Sequence, residues 1–341
     1  MNMIAAGSAL LERTSLPDPL IVAGIRYLVS RTNQKLGASD SLAELLFAES
    51  MRNRPIAEHV EDANAQHYEL PPAFFDLILG PQRKYSSCLY PTGRETLAEA
   101  EELALAETAA RAQLADGQNI LELGCGWGSL TLWMAARFPD ARITAVSNSQ
   151  AQRDYIIAQA ALRGLVNLRV ITADMNAFST PQRFDRVISV EMFEHMANWD
   201  ALLTRVRGWL QPEGKLFIHI FTHARTPYRF QLDDPSNWIA RYFFTGGMMP
   251  SHGLIDHFDN LFSIERDWRW SGEHYRRTAL HWLANFDTNS EPAMDILRDV
   301  YGNDASLWRR RWRIFFLATA GLFGHAGGKD WAVSHYLLRP V

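Results

Sequence analysis

The sequence predicts an α/β fold: a parallel, doubly wound, Rossmann-like sheet with a helical N-terminal segment and an inserted helical cap. Three observations carry this. From residue 116 onward, apolar runs of strand length alternate with helical periodicity, as a sheet covered on both faces requires. A glycine-rich turn, ELGCGWG at 122–128, lies between the first such run and the first helix, where open sheets bind their ligands. The stretch 223–329 breaks the alternation before one last strand-like run, WAVSHYLL.

In chain order, residues 1–70 read as mostly helical and polar, with helical apolar spacing in SLPDPLIVAGIRYLVSRT and LAELLFAESM. Pro71-Pro72 breaks the chain, AFFDLILG is a short apolar segment, and Gly80-Pro81 stops it. TLAEAEELALAETAARAQLA is rich in strong helix formers and ends at Asp116-Gly117. Strands follow at NILELG, ARITAVS, NLRVITAD and FDRVISV. Helices are expected after the glycine turn, at SQAQRDYIIAQAALRG and at ANWDALLTRVRGWL. Pro212-Glu213-Gly214 turns the chain into a further strand, KLFIHIF. The cap holds FTGGMMP, several tryptophans, helical segments and a candidate strand at FSIERDW. The expected division is a helical segment over 1–115 that closes over a cofactor, a core over 116–222, a cap over 223–329 and a final core strand at 330–341.

Composition excludes several classes. The chain has 341 residues, 47% hydrophobic and 21% charged, an ordinary globular profile. Its 34 basic and 38 acidic side chains leave a net charge of −4, so no broad attraction to nucleic acid or anionic membrane is expected. Cys88 and Cys125 are too few for a disulfide framework. LIVAGIRYLVS carries Arg26 and is too short for a bilayer, which takes roughly 20 apolar residues. With no secretory pattern at the N-terminus, the expectation is a cytoplasmic protein.

Glycine spacing discriminates between cofactors. Dinucleotide sites favour G-x-G-x-x-G, with the pyrophosphate on a helix N-terminus. Here Gly124, Gly126 and Gly128 follow G-x-G-x-G, and Glu122 precedes them at the strand end. A carboxylate there repels a pyrophosphate and suits a cation. S-adenosyl-L-methionine, which carries an ammonium and a sulfonium, is the expected cofactor, and the sheet is then that of a class I methyltransferase. Ser147, Asn148 and Gln152 follow the second strand, where hydroxyls and amides pair with a ribose diol. Asp174, after the third strand, either accepts from an adenine amino group or caps a helix.

YSSCLYP (85–91), ELGCGWG, SNSQAQ (147–152), EMFEHM (191–196) and RYFFTGGMMP (241–250) stand in this order along the chain. Together they resemble the cyclopropane fatty acid synthase-like methyltransferases, over about residues 65–341. Within that family, EMFEHM, YFFTGGMMP and DWAVSHYLL look most like the coclaurine N-methyltransferases. The resemblance implies that Tyr85 and Ser86 close over the cofactor, and that the 120–128 loop, residues 147–152 and Asp174-Met175 hold it. It brings Glu191, Glu194 and His195 into the active site. The cyclopropane-forming relatives use a bicarbonate base held by a Glu, a His, a Tyr and the backbone near a Cys. The matching positions are Glu194, His219, Tyr275 and Ser87. Ser replaces Cys there, and Thr319 stands about where the fatty-acyl enzymes carry a late cysteine. These departures favour an amine acceptor over a lipid.

EMFEHM places ionisable side chains at the end of a core strand. It lacks H-E-x-x-H, and no Cys/His cluster supports a metal, so none is expected. Glu194 or His195 alone can also serve to satisfy buried backbone groups. A base fits the chemistry: methyl transfer needs a lone pair, and an alkylamine with pKa of about 10.4 is protonated near neutral pH. If the segment turns helically, Glu191, Glu194 and His195 share a face. The glutamates then seat an ammonium and His195 assists its deprotonation.

The cap aromatics Trp238, Tyr242, Phe243, Phe244, Trp268, Trp270, Tyr275 and Trp282 read mostly as core, with a few forming a flat slot for an amine or an acyl chain. In WRRRWR, Trp308 and Trp312 share a helix face with Phe315 and Phe316, while Arg309, Arg310 and Arg313 point elsewhere, a packed helix rather than a nucleic-acid patch. The expected function is N-methylation of a small hydrophobic or aromatic amine. The alternative is methylation or cyclopropanation of unsaturated acyl chains of phospholipids, with bicarbonate as a second requirement. A small-molecule acceptor, no nucleic acid and no integral membrane contact follow; a homodimer is compatible with the sequence.

Overall fold

The apolar runs of the sequence become β1 (Asn119–Leu123), β2 (Arg142–Ser147), β3 (Leu168–Thr172), β4 (Phe184–Val190) and β5 (Leu210–His223) in the computed structural model, which describes residues 16–37, 41–58, 70–230 and 238–341. The helical reading of 1–15 and 59–69 lies outside the described residues. Two further strands, β6 (Phe262–Trp270) and β7 (Trp331–Pro340), complete a seven-stranded sheet of order β3-β2-β1-β4-β5-β7-β6. The first five strands pair in parallel. β7 is antiparallel to both β5 and β6. The strand order reverses at β1, which lies between β2 and β4. The crevice beyond the carboxyl ends of β1 and β4 is therefore the ligand position for such a sheet.

β6 falls in the stretch read from sequence as cap. It is an edge strand, and the middle of its length faces solvent. Its pattern is accordingly too polar to read as core.

Right-handed crossovers are supplied by α5 (Ser129–Arg137), α6 (Gln150–Leu162) and α7 (Trp199–Trp209). Before them come α1 (Asp18–Leu36), α2 (Ser41–Met51), α3 (Pro72–Ile78) and α4 (Leu97–Arg111). Thr96 and Glu99 form a reciprocal capping box at the start of α4. The cap contains α8 (Trp238–Phe243), α9 (Gly272–Thr288), α10 (Ser290–Tyr301) and α11 (Ala305–Phe323).

One apolar cluster packs α1 and α3 against α9 and α11, around Phe74, Phe286, Trp312 and Phe316. Another lies between the sheet and α7, around Leu121, Val187, Trp199 and Leu202. α1, α3 and the cap thus share one core, whereas α2 packs into the second cluster through Ala48 and Met51. Arg313 on α11 bonds both Asp18 of α1 and Asp287 of α9. The loop leading to residue 85 is folded around the buried Glu101, which accepts from the backbone N–H groups of Gly80, Gln82 and Lys84. Among the described residues no helix is long and apolar enough to cross a membrane.

Candidate active site

β1 ends in the glycine turn. Gly124 has φ +78°, and a Cβ there would overlap the Met192 side chain, so only glycine lets this loop pass beneath the EMFEHM segment. Gly128, φ +81°, starts α5 against Ile156 and lines neither of the two clefts above the sheet. The first cleft is bounded by Gly124, Gly126, Ser147, Asn148, Asp174 and Met175. The second is bounded by Tyr85, Ser86, Glu122, Glu194, Tyr275 and Trp282. Gly124, Gly126, Gln152, Glu191 and His195 border both. Two compartments therefore meet at Glu191 and His195.

In the first cleft several polar groups already have protein partners. Ser147 Oγ donates to Gln152 Oε1 at 2.6 Å. Asp174 Oδ1 accepts from the Asn176 backbone N–H at 2.8 Å and from its side-chain amide at 3.1 Å. No helix follows Asp174; in place of the capping alternative it closes a turn over 175–177 while standing in the cleft wall. In the second cleft Glu122 is 2% exposed and accepts from Thr131 Oγ at 2.5 Å. Burial pushes its carboxyl up to about 8.

The EMFEHM segment is not an α-helix. β4 stops at Val190, Glu191 takes a left-handed φ of +47°, and Phe193–His195 form a single 3₁₀ turn. The shared helical face expected for Glu191, Glu194 and His195 is replaced by a kink. The kink sends Glu191 toward β5 and α9, while the turn carries Glu194 and His195.

Glu191 Oε1 accepts from the Ser87 backbone N–H at 2.9 Å and faces His219 Nε2 at 3.3 Å. Its Oε2 accepts from the Tyr275 hydroxyl at 2.7 Å. Ser87, His219 and Tyr275 are three of the positions that the family resemblance pairs with a bicarbonate. Here they converge on the carboxylate of Glu191. The buried Lys84 sits behind them, donating to Ser86 Oγ at 2.5 Å and to the Ser87 carbonyl at 2.6 Å.

Burial pushes the Glu191 carboxyl above the ordinary range, while Lys84, the Ser87 N–H and the Tyr275 hydroxyl pull it back. Glu194 is 1% exposed and its Oε2 has no hydrogen-bond partner among the described residues. Burial, reinforced by the charge of Glu191, holds its carboxyl well above the ordinary range. One pocket thus contains two raised carboxyls in unlike surroundings: Glu191, whose donors support its anion against burial, and Glu194, which has no such support and is held as the neutral acid. His195 stacks on Phe244 with ring centroids 4.3 Å apart.

Phe244, Tyr275 and Trp282 line the inner cleft, joined by Phe315. Tyr242 and Phe243 pack with Trp308 instead, and Trp238 packs on Tyr242 and Phe243. Trp268 and Trp270 lie beneath the Arg111 guanidinium, away from the cleft. Sequence reasoning missed Lys84, Arg111 and His335. His335 Nε2 lies 2.8 Å from His219 Nδ1, and Arg111 Nη1 lies 2.9 Å from His335 Nδ1. The signal was a histidine in each of two apolar strands; only the β5–β7 register makes them neighbours. Among the described residues no His/Cys/Asp/Glu group could hold a metal ion.

The family model for mycolic acid cyclopropane synthetase matches residues 56–325. The (S)-coclaurine N-methyltransferase of Thalictrum flavum subsp. glaucum is 34% identical over 338 residues, spanning 96% of this chain and 94% of that protein. Pavine N-methyltransferase of the same plant is 31% identical over 303 residues, spanning 87% and 85%. The crystal structure of coclaurine N-methyltransferase bound to N-methylheliamine and SAH matches with a TM-score of 0.95 at 32% identity, covering 99% of this chain and 100% of that one.

Proposed function

The chain belongs to the mycolic acid cyclopropane synthetase family and is an S-adenosylmethionine-dependent methyltransferase; from that premise we propose that it methylates the nitrogen of a small hydrophobic or aromatic amine. The observation that carries this reading is the Glu191 carboxylate, held by donors from three sides where the two clefts meet. The cyclopropane-forming relatives need an exchangeable bicarbonate; here the corresponding donors are taken by the chain's own carboxylate. The coclaurine and pavine N-methyltransferases among its relatives support the same choice.

The cofactor fits the first cleft and its junction with the second. Gly124 and Gly126 present bare backbone, Asn148 and Met175 line the wall, and the buried Glu122 would hold the ammonium of the cofactor's amino acid group. When bound, the cofactor supplies an electrophilic methyl group. The chain supplies the rest. Tyr85, Trp282 and Phe244 offer ring faces to a flat acceptor and to its cationic nitrogen. Glu191 accepts the ammonium proton and frees the lone pair. His195, which borders both clefts and is half-exposed, passes the proton to solvent. Glu194 contributes a neutral acid that accepts a hydrogen bond from the substrate nitrogen. Packing around the slot excludes water and aligns the nitrogen for in-line displacement.

The deciding experiment incubates the enzyme with methyl-labelled S-adenosylmethionine and separate panels of cyclic aromatic amines and unsaturated phospholipids. Label is expected in the amines alone. Label confined to acyl chains would overturn the reading. The two unpaired, buried cysteines accord with a cytoplasmic setting.

A further inference from the structure

A file of hydrogen-bonded side chains runs inward from the last turn of α4 to Glu191. Arg111 Nη1 lies 2.9 Å from His335 Nδ1, His335 Nε2 lies 2.8 Å from His219 Nδ1, and His219 Nε2 lies 3.3 Å from Glu191 Oε1. Both histidines are 0% exposed and stand opposite each other on β5 and β7.

Chemistry fixes the direction of every link. A guanidinium only donates, so His335 Nδ1 carries a lone pair. Burial and the nearby Arg111 and Lys84 charges keep both imidazoles neutral. The His335 proton is therefore on Nε2 and is donated to His219 Nδ1. That leaves the His219 proton on Nε2, aimed at Glu191. We propose that Arg111 and His335 are positioning residues that lock His219 in its Nε2–H tautomer and so guarantee Glu191 one of its donors. The inference rests on Glu191 being the base.

The file is not a proton exit. It ends on Arg111, which accepts no proton, and each donor points inward. The other groups around it are accounted for. Lys84, Tyr275 and Glu194 face Glu191. Glu101 faces Lys84, and Glu107 Oε1 lies 2.7 Å from Arg111 Nε. From β6, Trp268 and Trp270 supply rings rather than charge.

The test compares the parent enzyme with Arg111→Ala, Arg111→Lys and Glu107→Gln. The first readout is the ¹⁵N spectrum of histidine-labelled protein, with signals assigned through His219→Gln and His335→Gln. The second is kcat against pH with an accepted amine. In the parent, both imidazoles are expected as neutral Nε2–H tautomers from pH 6 to 9, without titrating. In Arg111→Ala, Nδ1–H character is expected at one or both. Glu191 then loses a donor to its anion, so the acid limb of kcat moves up by about half to one pH unit. The plateau at high pH stays within about twofold. Arg111→Lys restores most of both effects, and Glu107→Gln leaves both in place.

A parent histidine of this pair that titrates or carries Nδ1–H overturns the inference. So does an Arg111→Ala enzyme slowed by one factor at every pH. A parent that methylates no amine sinks the functional reading instead, and the spectra still decide the tautomers.

Discussion

Glu191 occupies a backbone conformation that costs a residue with a Cβ about 1–2 kcal/mol. The contacts its carboxylate makes offset that cost and place it between the clefts. Glu191→Gln preserves shape but cannot take a proton; kcat is expected to fall by about 100-fold or more, with cofactor affinity by calorimetry unchanged within about threefold. Glu194 is already held as the neutral acid, so Glu194→Gln resembles the native state. Its kcat loss is expected to be at least about tenfold smaller than that of Glu191→Gln, and the comparison of the two checks the assignment.

Glu122 gives a different signature. Its carboxyl titrates at about 8 in the fold and near 4.3 when unfolded. The folded chain keeps this proton through a window where the unfolded chain has lost it. Stability from this group is present below about pH 4.3 and is lost as pH rises toward about 8. Thermal unfolding of Glu122→Gln is expected to decline less over that interval than that of the parent. At pH 7 a cationic ligand should displace the proton, and calorimetry in buffers of different ionisation enthalpy should register its release in the parent alone.

At the scale of elements, periodicity made α4 to α7 and α11 legible, because each buries one face against a neighbour. Trp312 and Arg313 on α11 illustrate what that reading weighs. Trp312 is 1% exposed, with the Phe74 and Phe243 rings each 5.0 Å from its own. Trp312→Ala should cost about 3–5 kcal/mol. Arg313 bridges α1 and α9 through partners that are largely solvated, so Arg313→Ala should cost no more than about 1 kcal/mol. Urea unfolding of the pair checks both. What was not legible follows from the same physics. FSIERDW was read as a candidate strand, but the solvated middle of β6 hid its place at the edge of the core sheet. The kink at Glu191 replaces a helical turn because the side chain is captured by donors from three other segments, and no local propensity contains that information.

For the whole molecule, the strand–helix alternation and the glycine turn made the parallel core and the position of the cofactor cleft readable. The inner cleft was readable only in part. Glu191, Glu194, His195, His219 and Tyr275 were all picked out, but which carboxyl the donors serve depends on how residues 84–87, β5 and α9 meet in space. Lys84 and His335 join the surroundings of Glu191 and His219 only through that meeting. One property of the intact enzyme follows. Because Glu191 fills the donor socket, turnover is expected to be the same in carbonate-free buffer as in bicarbonate-supplemented buffer. A severalfold stimulation by bicarbonate would show that the socket opens to an outside anion.

The sheet order has a consequence for the birth of the protein. β7 lies between β5 and β6 but is translated after both. A nascent chain that has just completed β6 therefore cannot seat it, and β5 presents an open edge. His335 arrives with β7, so His219 gains its partner only when that strand emerges from the ribosome. The donor file behind Glu191 is therefore completed only after β7 has emerged, and until then the half-made sheet carries an exposed edge open to other chains.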